Sequence, residues 1–224
     1  MSMKLFVWNT QECGSRNFIR VTKEYIRDAK PDVCVFVETR VSQHRADQVT
    51  ILSCHFQFVH CRISFTNTTD CFYATFIYAS PTRRLRQHLW QHLIALSSSI
   101  SSPWVVLGDF NATLSHADRQ GCSSASPEHS FQDMVSICGL HDLGYCGPHY
   151  TWTCGRRSVR LDRGFGNSRW FEHFPNHLLH HLIRMKSNHR PILLSTDDQV
   201  YSPRPHNFKY FAGWFIPITC YQFF

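Results

Sequence analysis

The 224 residues carry 23 lysines and arginines against 16 aspartates and glutamates, a formal charge of +7 before 15 histidines are counted, and 43% of them are hydrophobic. A chain of that size and composition buries on the order of 70% of its unfolded surface, which excludes disorder as its main state. No run approaches the ~20 apolar residues of a membrane span, and the first residues, MSMKLFVWNT, have neither a basic leader nor a small-residue cleavage site. The expectation is an intracellular, soluble domain without a membrane partner, for which the nucleus is an admissible compartment. Its ten cysteines include no C-x-x-C pair, so a structural zinc site and a disulfide scaffold are both disfavoured. A pI near 9.0 favours a polyanionic partner.

In chain order, Lys4–Trp8 (KLFVW) is a short apolar run of strand length that ends at Asn9. Phe18, Val21, Tyr25 and Ile26 then recur at helical spacing, with Ser15 as N-cap, until Pro31 and Asp32 stop the pattern. Val33–Val37 (VCVFV) is uninterrupted and β-branched, the pattern of a strand covered on both faces, and Glu38 follows it. Between Val41 and Asp70 no period is sustained. Phe72–Tyr78 reads as a strand, and Leu85, Leu89, Leu93 and Leu96 form the stripe of a helix that dissolves into serines at Ser97–Ser102. Trp104–Leu107 (WVVL) is a buried strand running into Gly108-Asp109-Phe110-Asn111, and a shorter helix surrounds Phe131, Val135 and Cys138. Tyr150–Thr153 and Val159–Arg163 read as a hairpin joined by Gly155-Arg156-Arg157-Ser158, and Pro191–Ser195 as the last strand. Alternating strands and helices give an α/β layered domain.

Polar residues that follow buried strands mark the rim where such domains build sites. Asn9, Glu38, Asp109 and Asn111 are so placed. Two carboxylates and two amides suit a hard Mg2+ or Mn2+ ion, and with a basic surface they point towards phosphodiester chemistry. Each alone has a blander role, Asn9 or Asp109 as a turn former and Glu38 as a helix cap.

Taken together, Trp8-Asn9, Val37–Thr39 (VET), Ile77–Pro81 (IYASP), Gly108–Asn111 (GDFN), Tyr150–Thr153 (YTWT), Arg160–Arg163 (RLDR) and Ser187–Leu194 (SNHRPILL) form an ordered series. In it the chain resembles the endonuclease/exonuclease/phosphatase superfamily, and most closely the apurinic-type endonuclease domain of plant LINE-type (non-LTR) retrotransposons. The resemblance covers residues 3–195, with a weaker echo in Arg204–Trp214. It implies a two-sheet, four-layer α/β sandwich of the DNase I-like type that nicks DNA with Mg2+ or Mn2+ to prime reverse transcription, acting as a monomer without a stable protein partner. By position, Asn9 and Glu38 would hold the metal, Asp109 would activate water, and Asn111 would fix the phosphate and Asp109. Tyr78 would stand near the scissile phosphate, Asp162 would support the network, and His189 would stabilise charge on the phosphoryl oxygens. The alternatives are a catalytically silent nucleic-acid-binding remnant, and a phosphodiesterase or phosphatase of the same fold acting on a small substrate.

The chain departs from the family pattern in three places. Asn188 stands where the family carries the Asp of S-D-H, expected there to pair with His189, so catalysis is expected to be severely impaired, by analogy with the ~10⁴ loss in a triad Asp-to-Asn change. The interval from Glu38 to Tyr78 reads as shortened, with one or two strands missing from the first sheet. No reverse-transcriptase sequence follows Leu194, and the tail, residues 196–224, has little pattern, as in a fragment of an element.

Among other features, Arg156, Arg157, Arg160 and Arg163 are the basic residues expected to meet DNA phosphates. Arg83, Arg84 and Arg86 read as a solvated face. His88 with His92, and His173, His177, His180 and His181, read as ordinary histidines in preference to metal ligands.

Overall fold

Along the first strand, Leu5 and Val7 enter one core while Phe6 and Trp8 enter another, because successive side chains of a strand point to opposite faces. The computed structural model describes residues 2–10, 16–37, 41–44, 49–65, 68–121, 126–185 and 187–197. Glu38, the Ser15 cap and nearly all of the tail lie outside the described residues. The elements are β1 (Lys4–Asn9), α1 (Arg16–Ala29), β2 (Val33–Val37), β3 (Val41–His44), β4 (Val49–His55), β5 (Phe58–Ser64), β6 (Cys71–Tyr78), α2 (Arg83–Ser97) and β7 (Trp104–Asp109). They continue with β8 (Arg119–Gln120), α3 (His129–Ile137), β9 (Leu140–Asp142), β10 (Trp152–Cys154), β11 (Arg157–Val159), β12 (Asp162–Asn167), α4 (Ser168–His173), β13 (Leu178–His181) and β14 (Ile192–Ser195).

A five-stranded sheet runs β13-β14-β1-β2-β3 and a six-stranded sheet runs β4-β5-β6-β7-β12-β9, with β10-β11-β8 as a small third sheet. Both large sheets are mixed: β1 is parallel to β2 and antiparallel to β14, and β6 is parallel to β7. They face one another through Leu5, Val7, Val33 and Val35 on one side and Ile63, Phe76, Val105 and Leu107 on the other. The outer face of the first sheet packs Phe6, Trp8 and Phe36 against Val21 and Tyr25 of α1. That of the second packs Val106 and Phe165 against Leu89, Trp90, Leu93, Phe131 and Met134 of α2 and α3. The order helix, sheet, sheet, helix is the expected four-layer α/β sandwich, and the two continuous apolar runs, VCVFV and WVVL, are buried on both faces.

Three elements differ from the sequence reading. The unpatterned stretch after Val41 holds three strands, β3 in the five-stranded sheet and β4 and β5 in the six-stranded one. It was unreadable because β4 is an edge strand with most of its residues exposed, which removes the burial that imposes alternation. The strand expected over Val159–Arg163 divides: β11 ends at Val159 in the small sheet, and Asp162 opens β12 beside β7. Arg86 is buried and bonds Glu128 through a 2.5 Å pair, so of the three arginines at the α2 start only Arg83 and Arg84 are solvated. Among the described residues no helix is long and apolar enough to cross a membrane.

Candidate active site

Asn9 closes β1 and Asp109 closes β7. Tyr78, the last residue of parallel β6, is in register with Asp109, and so is Asp162, the first residue of antiparallel β12. Strand ends from both large sheets therefore converge on Asp109. Gly108 makes the approach possible: its φ is +141°, and a Cβ there would stand 2.1 Å from the Ile77 carbonyl oxygen. The turn that follows places Asn111 in the left-handed region, at φ 47°, a conformation asparagine tolerates better than most residues.

Asp109 is fully buried. Asn9 Nδ2 donates to its Oδ2 at 2.9 Å, the Asn111 backbone N–H to Oδ1 at 2.9 Å, and Asn111 Nδ2 to Oδ2 at 3.1 Å. Burial raises its pKa to about 6, helped by the charge of Asp162, while the His189 ring and the bonds from Asn9 and Asn111 pull the other way. His189 stands opposite, with Nε2 at 3.9 Å from Asp109 Oδ2 and Nδ1 bonded to Asp162 Oδ2 at 2.9 Å. Thr151 Oγ1 accepts from the N–H groups of Leu161 and Asp162 and fixes the start of β12. Ser187 Oγ donates to the Asn9 carbonyl and accepts from His189 N–H, and the Trp8 indole donates to the His189 carbonyl.

Asn9, Asp109, Asn111 and His189 line an open cleft of about 330 Å3, with Tyr78, Pro81, Arg119 and Trp152 forming its walls. The sequence profile of the Endonuclease/Exonuclease/phosphatase family matches residues 6–182. The chain belongs to that family. In fold it is similar to the AP endonuclease LMAP of Leishmania major, with a TM-score of 0.68, 13% identity and 87% of each chain covered. The endonuclease domain of TRAS1, a telomere-specific non-LTR retrotransposon, superimposes with a TM-score of 0.63 at 13% identity, over 86% of this chain and 97% of that domain. D. rerio TDP2, solved with a single-strand DNA product, gives 0.59 at 12% identity over 87% and 98%. No curated protein matches the chain in sequence.

Of the residues read from the sequence, the family fold gathers Asn9, Tyr78, Asp109, Asn111, Asp162 and His189 at one cleft. Glu38 lies outside the described residues. Asn188 is exposed, and its backbone carbonyl accepts from Thr153 N–H. The carboxylate partner expected from position 188 is supplied by Asp162, so Asn188 does not leave His189 without one.

Arg160 and Arg163 also depart from expectation. Both are buried: Arg160 bonds Asp142 Oδ1 at 2.8 Å, and Arg163 bonds Asp142 Oδ2 at 2.8 Å and pairs with Asp118. They are internal braces with their charges spent on carboxylates. Arg156 and Arg157 stay exposed in and beside the β10–β11 turn. Arg119 and Trp152 were missed as cleft residues. Arg119 directly follows an Asp that its fold buries, and Trp152 lay inside a recognised motif, so only the second carried a usable signal.

For a divalent cation the chemistry is suitable. Asp109, Asp162 and His189 present ligand atoms within 4.8 Å of one another, and the amide oxygen of Asn9 is the further hard donor at the cleft. Asp162 is bonded to His189, and the oxygens of Asn9 and Asp109, themselves joined by a hydrogen bond, are donors of the kind an oxygen-loving ion takes.

Proposed function

We propose that the protein is a divalent-metal-dependent DNA endonuclease that nicks one strand by phosphodiester hydrolysis, of the kind a non-LTR retrotransposon uses to open its target. The observation that carries the reading is the buried Asp109, held by Asn9 and Asn111 and facing a His189 that Asp162 orients. A carboxylate with a pKa raised to about 6 is ionised at neutral pH and still basic enough to take a proton from water, a contribution typically of 10²–10⁴ in rate.

Asp109 Oδ2 receives the proton of the attacking water, and Asn111 holds the carboxylate in place. His189 donates from Nε2 to a phosphoryl oxygen, while Asp162 keeps the ring oriented and stabilises its imidazolium form. Tyr78 and Arg119 border the phosphate, and Trp152 offers a flat apolar wall for a sugar or base. Asn9 and, by its position in the motif, Glu38 would hold Mg2+ or Mn2+, which would supply positive charge against that developing on the phosphate. The nucleic acid approaches over Arg156 and Arg157, and the chain acts as a monomer.

Plasmid nicking with Mg2+ or Mn2+ tests the reading. The protein is expected to convert supercoiled DNA to open circles, and Asp109→Ala to abolish this. Equal rates for the two proteins would overturn the assignment. Salt-dependent DNA binding without nicking would move the chain to the silent binder, and turnover of a small phosphodiester alone would move it to another substrate.

A further inference from the structure

A second group of titratable side chains lies outside the catalytic cleft. His88 and His92 are four residues apart on α2, so they share a helical face, and both are exposed. His55, the last residue of β4, faces them: its ring centroid lies 4.8 Å from that of His92, with the planes tilted by 47°. Partial burial, then the charges that His92 and His88 would carry, hold the His55 pKa below its ordinary value. The Phe58 ring lies beneath the pair, 5.3 Å from His55 and 5.8 Å from His92.

We propose that His55, His88 and His92 form a three-imidazole site for a borderline divalent cation, Zn2+ foremost, distinct from the catalytic cleft. Two histidines at i and i+4 on a helix are a chelating unit in their own right, and neutral imidazoles select zinc, copper and nickel over the hard ions of phosphodiester chemistry. Zn–N bonds of ~2.0–2.1 Å in tetrahedral geometry put two ligating rings about 5 Å apart between centroids, the spacing His55 and His92 already hold. The three rings do not yet close on a point, since the closed three-ligand group among the described residues is Asp109, Asp162 and His189. Exposed His88 and His92 close it by rotamer changes that cross only picosecond-to-nanosecond barriers. His55 Nδ1 accepts a long 3.3 Å bond from Gln57 N–H. Coordination through Nε2 gives that bond up and moves the ring proton to Nδ1.

Such an ion would brace the β4–β5 turn against α2. That turn contains the buried Gln57, whose Oε1 accepts from Ser80 N–H at 2.7 Å, whose Nε2 donates to the Leu85 carbonyl at 3.0 Å, and whose own carbonyl accepts from Tyr78 N–H. The site therefore stands directly behind the Tyr78–Pro81 segment that walls the cleft.

The test needs no catalysis. The reduced full chain is titrated with Co2+ and Zn2+ beside the His88→Ala/His92→Ala double variant, with His129→Ala as an exposed control. Because ten cysteines compete for these metals, the difference between proteins is the readout. The wild-type chain and the control are expected to bind one more equivalent in the micromolar range than the double variant. Its cobalt spectrum is expected to show d–d bands without a thiolate charge-transfer band. Zn2+ is expected to raise Tm by a few degrees only where both helix histidines remain, and His55→Ala to weaken that equivalent at least about tenfold. Identical stoichiometry and Tm shifts in the double variant, or binding through thiolates alone, would overturn the proposal.

Discussion

The Nδ1 nitrogen of His189 lies 2.9 Å from Oδ2 of Asp162, so this histidine takes its carboxylate from the start of β12 and not from its neighbour in the chain. Asp162→Asn is therefore expected to lower the nicking rate by ~10³–10⁴, by analogy with a triad whose orienting Asp is neutralised. Asn188→Asp is expected to change it by less than about tenfold, or ~1.4 kcal/mol. Single-turnover nicking of the two variants checks this, and a rescue of several orders by Asn188→Asp would refute the assignment.

In the proposed reaction Asp109 is the general base and would work ionised, so nicking is expected to rise with pH through about 6 and level off above. Its linkage to folding has the opposite sign. The folded pKa exceeds the unfolded value, so the group's contribution to stability is present below about 4 and is lost as pH rises through about 6. A rate falling on acidification while Tm holds would separate catalysis from unfolding.

His181 acts on stability in the other direction. Burial holds its pKa down at about 4, with its Nδ1 donating to the Pro148 carbonyl. Between the two pKa values the unfolded chain binds more protons, so the contribution is complete above about 6.5 and is lost as pH falls towards 4. A shift of this size is worth on the order of 3 kcal/mol. Denaturant melts at pH 7 and pH 5 are expected to differ less for His181→Gln than for the parent chain.

The four arginines of the hairpin region should divide into two pairs. Removing Arg163 leaves the buried Asp118 without its cation and the half-buried Asp142 with Arg160 alone, a loss of about 3–5 kcal/mol, which urea unfolding will report. Arg156→Ala and Arg157→Ala are expected to leave Tm unchanged and to lower the salt dependence of DNA binding by about one counterion each.

Much of the layering was legible because VCVFV and WVVL are apolar throughout, and only a strand buried on both faces needs that. The cleft was legible in the same way, since Asn9 and Asp109 follow such strands directly. What stayed hidden depends on partners distant in sequence. Nothing near Arg163 announces that Asp118 and Asp142 will neutralise it, and nothing near His189 announces Asp162. The β3–β5 stretch was hidden for another reason: at a sheet edge β4 buries too little for its pattern to be constrained.

Asn9 and His189 are carried by the five-stranded sheet and the loop beside it, whereas Tyr78, Asp109 and Asp162 belong to the six-stranded sheet. The bond from Asn9 to Asp109 spans that boundary. In the proposed reaction catalysis would report the docking of two halves, so in a gradual thermal ramp activity is expected to fail before helical and strand content does.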